Sequence, residues 1–146
     1  MADAFRLDDL VARLDTTRHD FAEFFRAPSG TLSMTVAYWP AGSVDDQDPH
    51  AEDEVYFVAA GRARLRVADD DRAVGPGSLV YVAAGVDHRF HDVDEDLRVL
   101  VFWSPPRHSA VRPPTADVAS PAGPGRRRVR WAGARLRRRG GRNPRG

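Results

Sequence analysis

The chain has 146 residues, 42% of them hydrophobic, with 22 arginines, no lysine, 21 acids and no cysteine. That length accommodates one domain with some flank, and the missing cysteines exclude disulfides, thiolate metal sites and a cysteine nucleophile. A near-neutral total conceals a division: residues 1–104 carry 10 Arg against 20 acids, whereas residues 105–146 carry 12 Arg against the single acid Asp117.

The N-terminal stretch is acidic where a signal peptide would be basic and then apolar. No apolar run approaches the ~18 residues that span a bilayer, so the expectation is a cytoplasmic protein with no membrane partner. Leu7, Leu10, Val11 and Leu14 follow helical spacing, with Asp8 and Asp9 suited to the N-terminal end; residues 1–22 are read as a helical segment. Short β-like runs follow at Thr31–Trp39, Val55–Ala59, Arg62–Val67, Leu79–Val82, His88–Val93 and Leu97–Trp103. Arg62–Val67 alternates strictly between polar and apolar residues, which makes one face wet and the other buried. Turn residues separate the runs at Pro40-Ala41-Gly42, Gly75-Pro76-Gly77 and Ala84-Gly85, among others. Many short strands closely spaced predict an all-β antiparallel sandwich or barrel over residues 23–104.

From Pro105 the character changes. Prolines punctuate a stretch without an apolar period, followed by the triple-arginine runs Arg126–Arg128 and Arg137–Arg139. Residues 105–146 have little to bury, and they are expected to form a disordered Pro/Arg-rich tail. Nucleic-acid contact, if any, would come from this tail alone, through its charge.

Two stretches carry chemistry. In the first, six acids crowd around His50 between positions 45 and 54; like charges so close destabilise a fold unless solvent or a cation relieves them. Asp48, His50, Glu52 and Glu54 share one parity in an extended chain, and a local bend decides which of them converge. In the second stretch, Gly77 to Asp92, a strand turns at Ala84-Gly85 and a new one starts at His88. His88 and Phe90 share a face, and His91 takes the opposite one, as a surface residue. An inward His88 meeting an inward His and Glu makes a site with two histidines and one carboxylate. No Ser-His-Asp order, phosphate loop or dinucleotide fingerprint is present.

These stretches resemble the paired motifs of the cupin superfamily. Gly42, Asp48, His50, Glu54 and Gly61 fall in the register of the first motif, with Asp48 where the family has its first histidine. Gly77, Ala83, Gly85, His88 and Asp92 fall in the second, with Ala for its proline and Asp for its asparagine. Pro49-His50-Ala51-Glu52-Asp53-Glu54-Val55-Tyr56 is similar to a stretch of small single-domain bacterial cupins. The resemblance implies a jelly-roll β-barrel with one divalent metal ion (Fe, Mn, Zn or Ni) at one end. It implies His50, Glu54 and His88 as ligands, with Asp48, Gln47 or water in the fourth position. The function expected is a small metal-binding cupin, with a metal-dependent oxygenase, isomerase or hydrolase acting on a small molecule as the enzymatic reading. A non-catalytic barrel that binds or senses a small ligand is the alternative. A homodimer is expected, because a small domain gains from burying an exposed sheet.

Overall fold

A computed structural model describes residues 3–109. One helix and eight strands follow in order: α1 (Leu7–Val11), β1 (Asp20–Arg26), β2 (Ser33–Trp39), β3 (Asp53–Ala60), β4 (Ala63–Val67), β5 (Asp70–Val74), β6 (Leu79–Val82), β7 (His88–His91) and β8 (Leu97–Ser104). They form a five-stranded sheet in the order β1-β2-β8-β3-β6 and a three-stranded sheet in the order β5-β4-β7. Every pairing is antiparallel. The all-β antiparallel architecture with a short N-terminal helix is therefore present. It takes the form of two facing sheets, with no ladder joining them among the described residues.

Alternation places the core. Tyr56 and Val58 from β3, Val99, Val101 and Trp103 from β8, Leu65 from β4 and Phe90 from β7 turn inward into one cluster shared by both sheets. β2 is buried on both faces. Ala37 and Trp39 enter that core, while Val36 and Tyr38 on the outer face lie under Leu10 and Val11 of α1.

The ends of the chain differ from the sequence expectation. The helix stops at Val11, and β1 begins at Asp20, inside the segment read as helical. Two features hide β1: Phe24 and Phe25 are adjacent, which spoils alternation, and a register shift between Glu23 and Phe25 absorbs the mismatch against β2. β5, Asp-Asp-Arg-Ala-Val, is largely exposed and too polar to be recognised; it forms through a two-residue turn from β4, with Ala68 at a φ of 51°. Past Ser104 the chain does not leave the fold at once. Pro106 is fully buried, the Arg107 N–H donates to Ser33 Oγ at 3.0 Å, and the Arg107 carbonyl accepts from Arg26 Nη2 at 2.9 Å. The remainder of the expected tail, from residue 110, lies outside the described residues. No helix among the described residues is long and apolar enough to cross a membrane.

Candidate metal centre

His50 lies in the loop just before β3, Glu54 is the second residue of β3, and His88 opens β7. Two hydrogen bonds unite the motifs: the Gly85 N–H donates to the His50 carbonyl at 2.7 Å, and the Ala84 N–H donates to the side-chain Asp53 Oδ1 at 2.8 Å. Gly85 meets this turn with a φ of 77°, a conformation that glycine adopts without a Cβ penalty. The turn that precedes His88 is thus fastened to the residues that carry His50 and Glu54.

The result is a group of three donors whose ligand atoms lie within 4.8 Å of one another, the one such group among the described residues. The side chains of His50, Glu54 and His88 are 5%, 0% and 0% exposed. Each imidazole has its Nδ1 on a backbone carbonyl, His50 on Glu52 at 3.1 Å and His88 on Val86 at 2.7 Å. A carbonyl only accepts, so each neutral ring carries its proton on Nδ1 and presents the Nε2 lone pair. Both lone pairs converge on Glu54 Oε1, from 3.1 Å for His50 and 2.5 Å for His88. His88 Nε2 is a buried atom without a hydrogen-bond partner despite that short approach, and so is Glu54 Oε2. The His50 contact has hydrogen-bond geometry and becomes a bond when its Nε2 carries a proton, whereas the His88 contact lacks it. With both rings neutral all these atoms accept, the arrangement of ligand atoms that share a cation.

The electrostatics agree. Burial pushes the Glu54 carboxyl up, but hydrogen bonds and charge from His50 and His88 outweigh it and hold the group below the usual carboxylate range. Burial pulls His88 down, and Glu54, the Val86 carbonyl and the Asp45 charge together more than reverse this, leaving the ring above its ordinary value. The pocket therefore favours positive charge, as a proton or as a metal ion.

Around the donors the barrel end is lined by Tyr56, Trp103 and the loop before β3. The Trp103 and His50 rings meet edge to face, 4.8 Å between centroids, and Trp103 Nε1 donates to Thr35 Oγ1 at 3.0 Å. Gln47 turns inward, donating through Nε2 to Asp45 Oδ2 at 2.9 Å and to Tyr56 Oη at 3.2 Å. Asp45 is buried and accepts the Phe90 N–H at 2.9 Å. Burial, followed by the Glu54 charge, pushes the Tyr56 phenol well above its ordinary value, so it keeps its proton.

Other expected positions are distributed as follows. Asp48 is exposed in the loop and stands outside the group of three. Glu52, of the same parity as His50 and Glu54, is buried but turns its carboxylate to Arg107 Nη1 at 2.9 Å and to the His108 N–H at 2.8 Å. His91 lies on the opposite face of β7 from His88 and pairs with Asp71. His19, outside both motifs, stacks on Trp39 with centroids 4.4 Å apart. Arg107 was placed in the tail, and nothing in its Pro-Pro-Arg context marks it as part of the site.

A family profile described as a cupin domain matches residues 34–103. An uncharacterized protein of Streptomyces coelicolor is 48% identical over 103 residues, which cover 70% of this chain and 96% of that protein. This chain is a cupin. The dimethylsulfoniopropionate lyase DddQ of Ruegeria pomeroyi is 34% identical over 76 residues, 51% of this chain and 38% of the lyase. Its crystal structure superposes with a TM-score of 0.58 at 28% identity, covering 64% of this cupin and 50% of that chain. The cupin thus spans half or less of the lyase it matches. The TT1209 structure from Thermus thermophilus shares the fold at a TM-score of 0.60 and 20% identity, covering 72% of this cupin and 99% of that chain.

Proposed function

We propose that this cupin holds one divalent metal ion through His50, Glu54 and His88 and acts with it on a small molecule. The observation that carries the reading is the convergence, in a buried space, of a carboxylate oxygen and two imidazole Nε2 atoms whose rings, when neutral, keep their protons on Nδ1. Two imidazoles and one carboxylate suit Fe(II), Mn(II), Zn(II) or Ni(II). When bound, such an ion polarises an oxygen of a chelating molecule. The chain's own residues set the stage. The Glu52 and Val86 carbonyls hold the two rings in the lone-pair tautomer, Trp103 walls one side, and Tyr56 offers a retained phenolic proton near Glu54. Likeness to a dimethylsulfoniopropionate lyase makes elimination from a small carboxylate-bearing molecule the first reaction to assay, ahead of oxidation, isomerisation or hydrolysis.

Purified protein is expected to contain about one divalent ion per chain by elemental analysis. Chelation should remove it and lower the melting temperature, because an ion that binds only the folded state stabilises that state. His50→Ala or His88→Ala should abolish tight binding, while Asp48→Ala should leave it nearly unchanged. Protein that carries no stoichiometric metal and gains no stability on adding Mn(II), Zn(II), Ni(II) or Fe(II) would overturn the reading.

Asp45 and Gln47, turned inward over Tyr56, favour a second reading in which the barrel binds or senses a small ligand without turning it over. A ligand that co-purifies and is released unchanged would select it. For assembly we propose a homodimer formed through the uncovered outer face of the five-stranded sheet, where Leu79 and Tyr81 are 59% and 60% exposed.

A further inference from the structure

We propose that Arg107 is a positioning residue for His50, acting through Glu52 and Trp103. The inference takes from the reading above only that His50 is a metal ligand, and it adds what aims that ligand.

His50 needs such help because no strand holds it. The residue precedes β3, so its backbone is held by the Gly85 N–H on its carbonyl and by no ladder, and its ring is oriented by the Nδ1 bond to the Glu52 carbonyl and by edge-to-face contacts with Trp103 and His88. A competing acceptor stands close by: Glu52 Oε2 is 3.6 Å from the same Nδ1. The Glu52 side chain is 3% exposed, and a carboxylate so buried must find donors. Both come from the segment beyond β8. Arg107 Nη1 reaches Oε2 at 2.9 Å, and the His108 N–H reaches Oε1 at 2.8 Å. With its lone pairs engaged there, Glu52 leaves the His50 Nδ1–H to the carbonyl. Without Arg107, Oε2 becomes the strongest free acceptor near Nδ1, and the ring would turn toward it, swinging Nε2 away from Glu54.

The second route is steric. The Arg107 guanidinium lies over the Trp103 ring, 4.8 Å from its centroid, on the residue whose ring abuts His50. Arg107 is itself anchored, by its N–H on Ser33 Oγ, its carbonyl under Arg26 Nη2, and the buried Pro106 before it. The chain that follows the last strand is thereby built into the wall of the metal centre.

The test uses the full chain labelled with ¹⁵N-histidine, with Arg107→Ala and Arg107→Lys beside the parent. In metal-free protein, long-range ¹H–¹⁵N spectra should show His50 as one Nδ1–H tautomer in the parent. In Arg107→Ala its two ring nitrogens should shift while those of His88 stay in place. Co(II) titration should give binding weaker by about tenfold to a hundredfold, the usual scale for residues that orient a ligand. Arg107→Lys should fall between, since lysine keeps the charge but not the planar fork. Unchanged His50 signals, or His50 and His88 shifting together as in a general loosening, would overturn the proposal. If the parent takes up no Co(II), the metal reading fails while the His50 tautomer still decides the role of Arg107. Should Arg107→Ala fail to fold, Glu52→Gln in the full chain is expected to shift the His50 nitrogens alone, and their constancy would overturn the inference.

Discussion

His19 stacks on Trp39 with 13° between the ring planes, and its Nε2 is buried without a partner. Burial is the largest influence on it and lowers its pKa; the charges of Asp45, Asp20 and Asp46 pull upward without overcoming that. The unfolded chain takes up the proton near pH ~6.5, whereas the folded ring resists until lower pH. In the window between, the unfolded state binds more protons, so stability present above about pH 6.5 is lost as pH falls below it. His19→Phe keeps an aromatic ring against Trp39 and cannot take a proton. Between about pH 7 and 5.5 the parent's melting temperature should therefore fall further than that of His19→Phe. Parallel profiles would show that His19 is not the group responsible.

The connection from β3 to β4 turns on Gly61, whose φ is 86°. A Cβ there would strike the Asp96 carbonyl oxygen and stand 2.9 Å from the Leu97 Cα, both of them backbone that cannot swing aside. Asp96 is fixed in turn, because its carboxylate accepts the Tyr38 hydroxyl at 2.7 Å and the Ala41 N–H at 2.8 Å. Gly42 has a similar φ of 80° but open space around the missing Cβ. Gly42→Ala should thus cost about 1 kcal/mol, the conformational penalty alone, and Gly61→Ala about 3 kcal/mol or more once the clash is added. Urea unfolding of the two variants measures the gap; equal costs would mean that the β3–β4 connection shifts freely. This element also shows how much of the fold is legible from pattern. Gly61 stands where the cupin motif ends and marks the turn correctly, and strict alternation marks β4. β1 escaped because a bulge breaks its alternation, and β5 because an exposed edge strand can be polar without cost.

At the scale of the molecule, α1 covers only part of the outer face of the five-stranded sheet. Val36 and Tyr38 lie under Leu10 and Val11, but Leu79 and Tyr81 on the edge strand β6 are open, in register with the half-buried Phe57 and Val55 of β3. A second copy using the same patch would bury it isologously. Light scattering should give a mass above one chain, and Tyr81→Arg should reduce it to one chain without loss of the fold; a parent that is already monomeric at micromolar concentration would remove the idea. The boundary of the folded unit is open to a similar comparison. A chain ending at residue 109 keeps Pro106, Arg107 and the His108 N–H, whereas one ending at residue 104 leaves the buried Glu52 carboxylate without these donors. The shorter chain should be less stable by about 1–3 kcal/mol, the scale of a buried polar group left unsatisfied. Equal melting temperatures would show that Glu52 finds other partners.

The residues alone determined which positions can meet. Alternation in β7 sends His88 and Phe90 to one face and His91 to the other, and motif spacing aligns His50, Glu54 and His88. These are local properties, written in period and register. Tertiary structure alone decided among residues of equal parity. Asp48, His50, Glu52 and Glu54 are equivalent to any pattern, yet Glu54 faces the imidazoles, Asp48 faces solvent, and Glu52 turns to Arg107, 55 positions further along the chain. A buried carboxylate goes where its donors are, and donors brought by chain return leave no trace in local spacing. Arg107 was illegible for the same reason: its role comes from the place where β8 delivers it, beside Trp103 and Glu52.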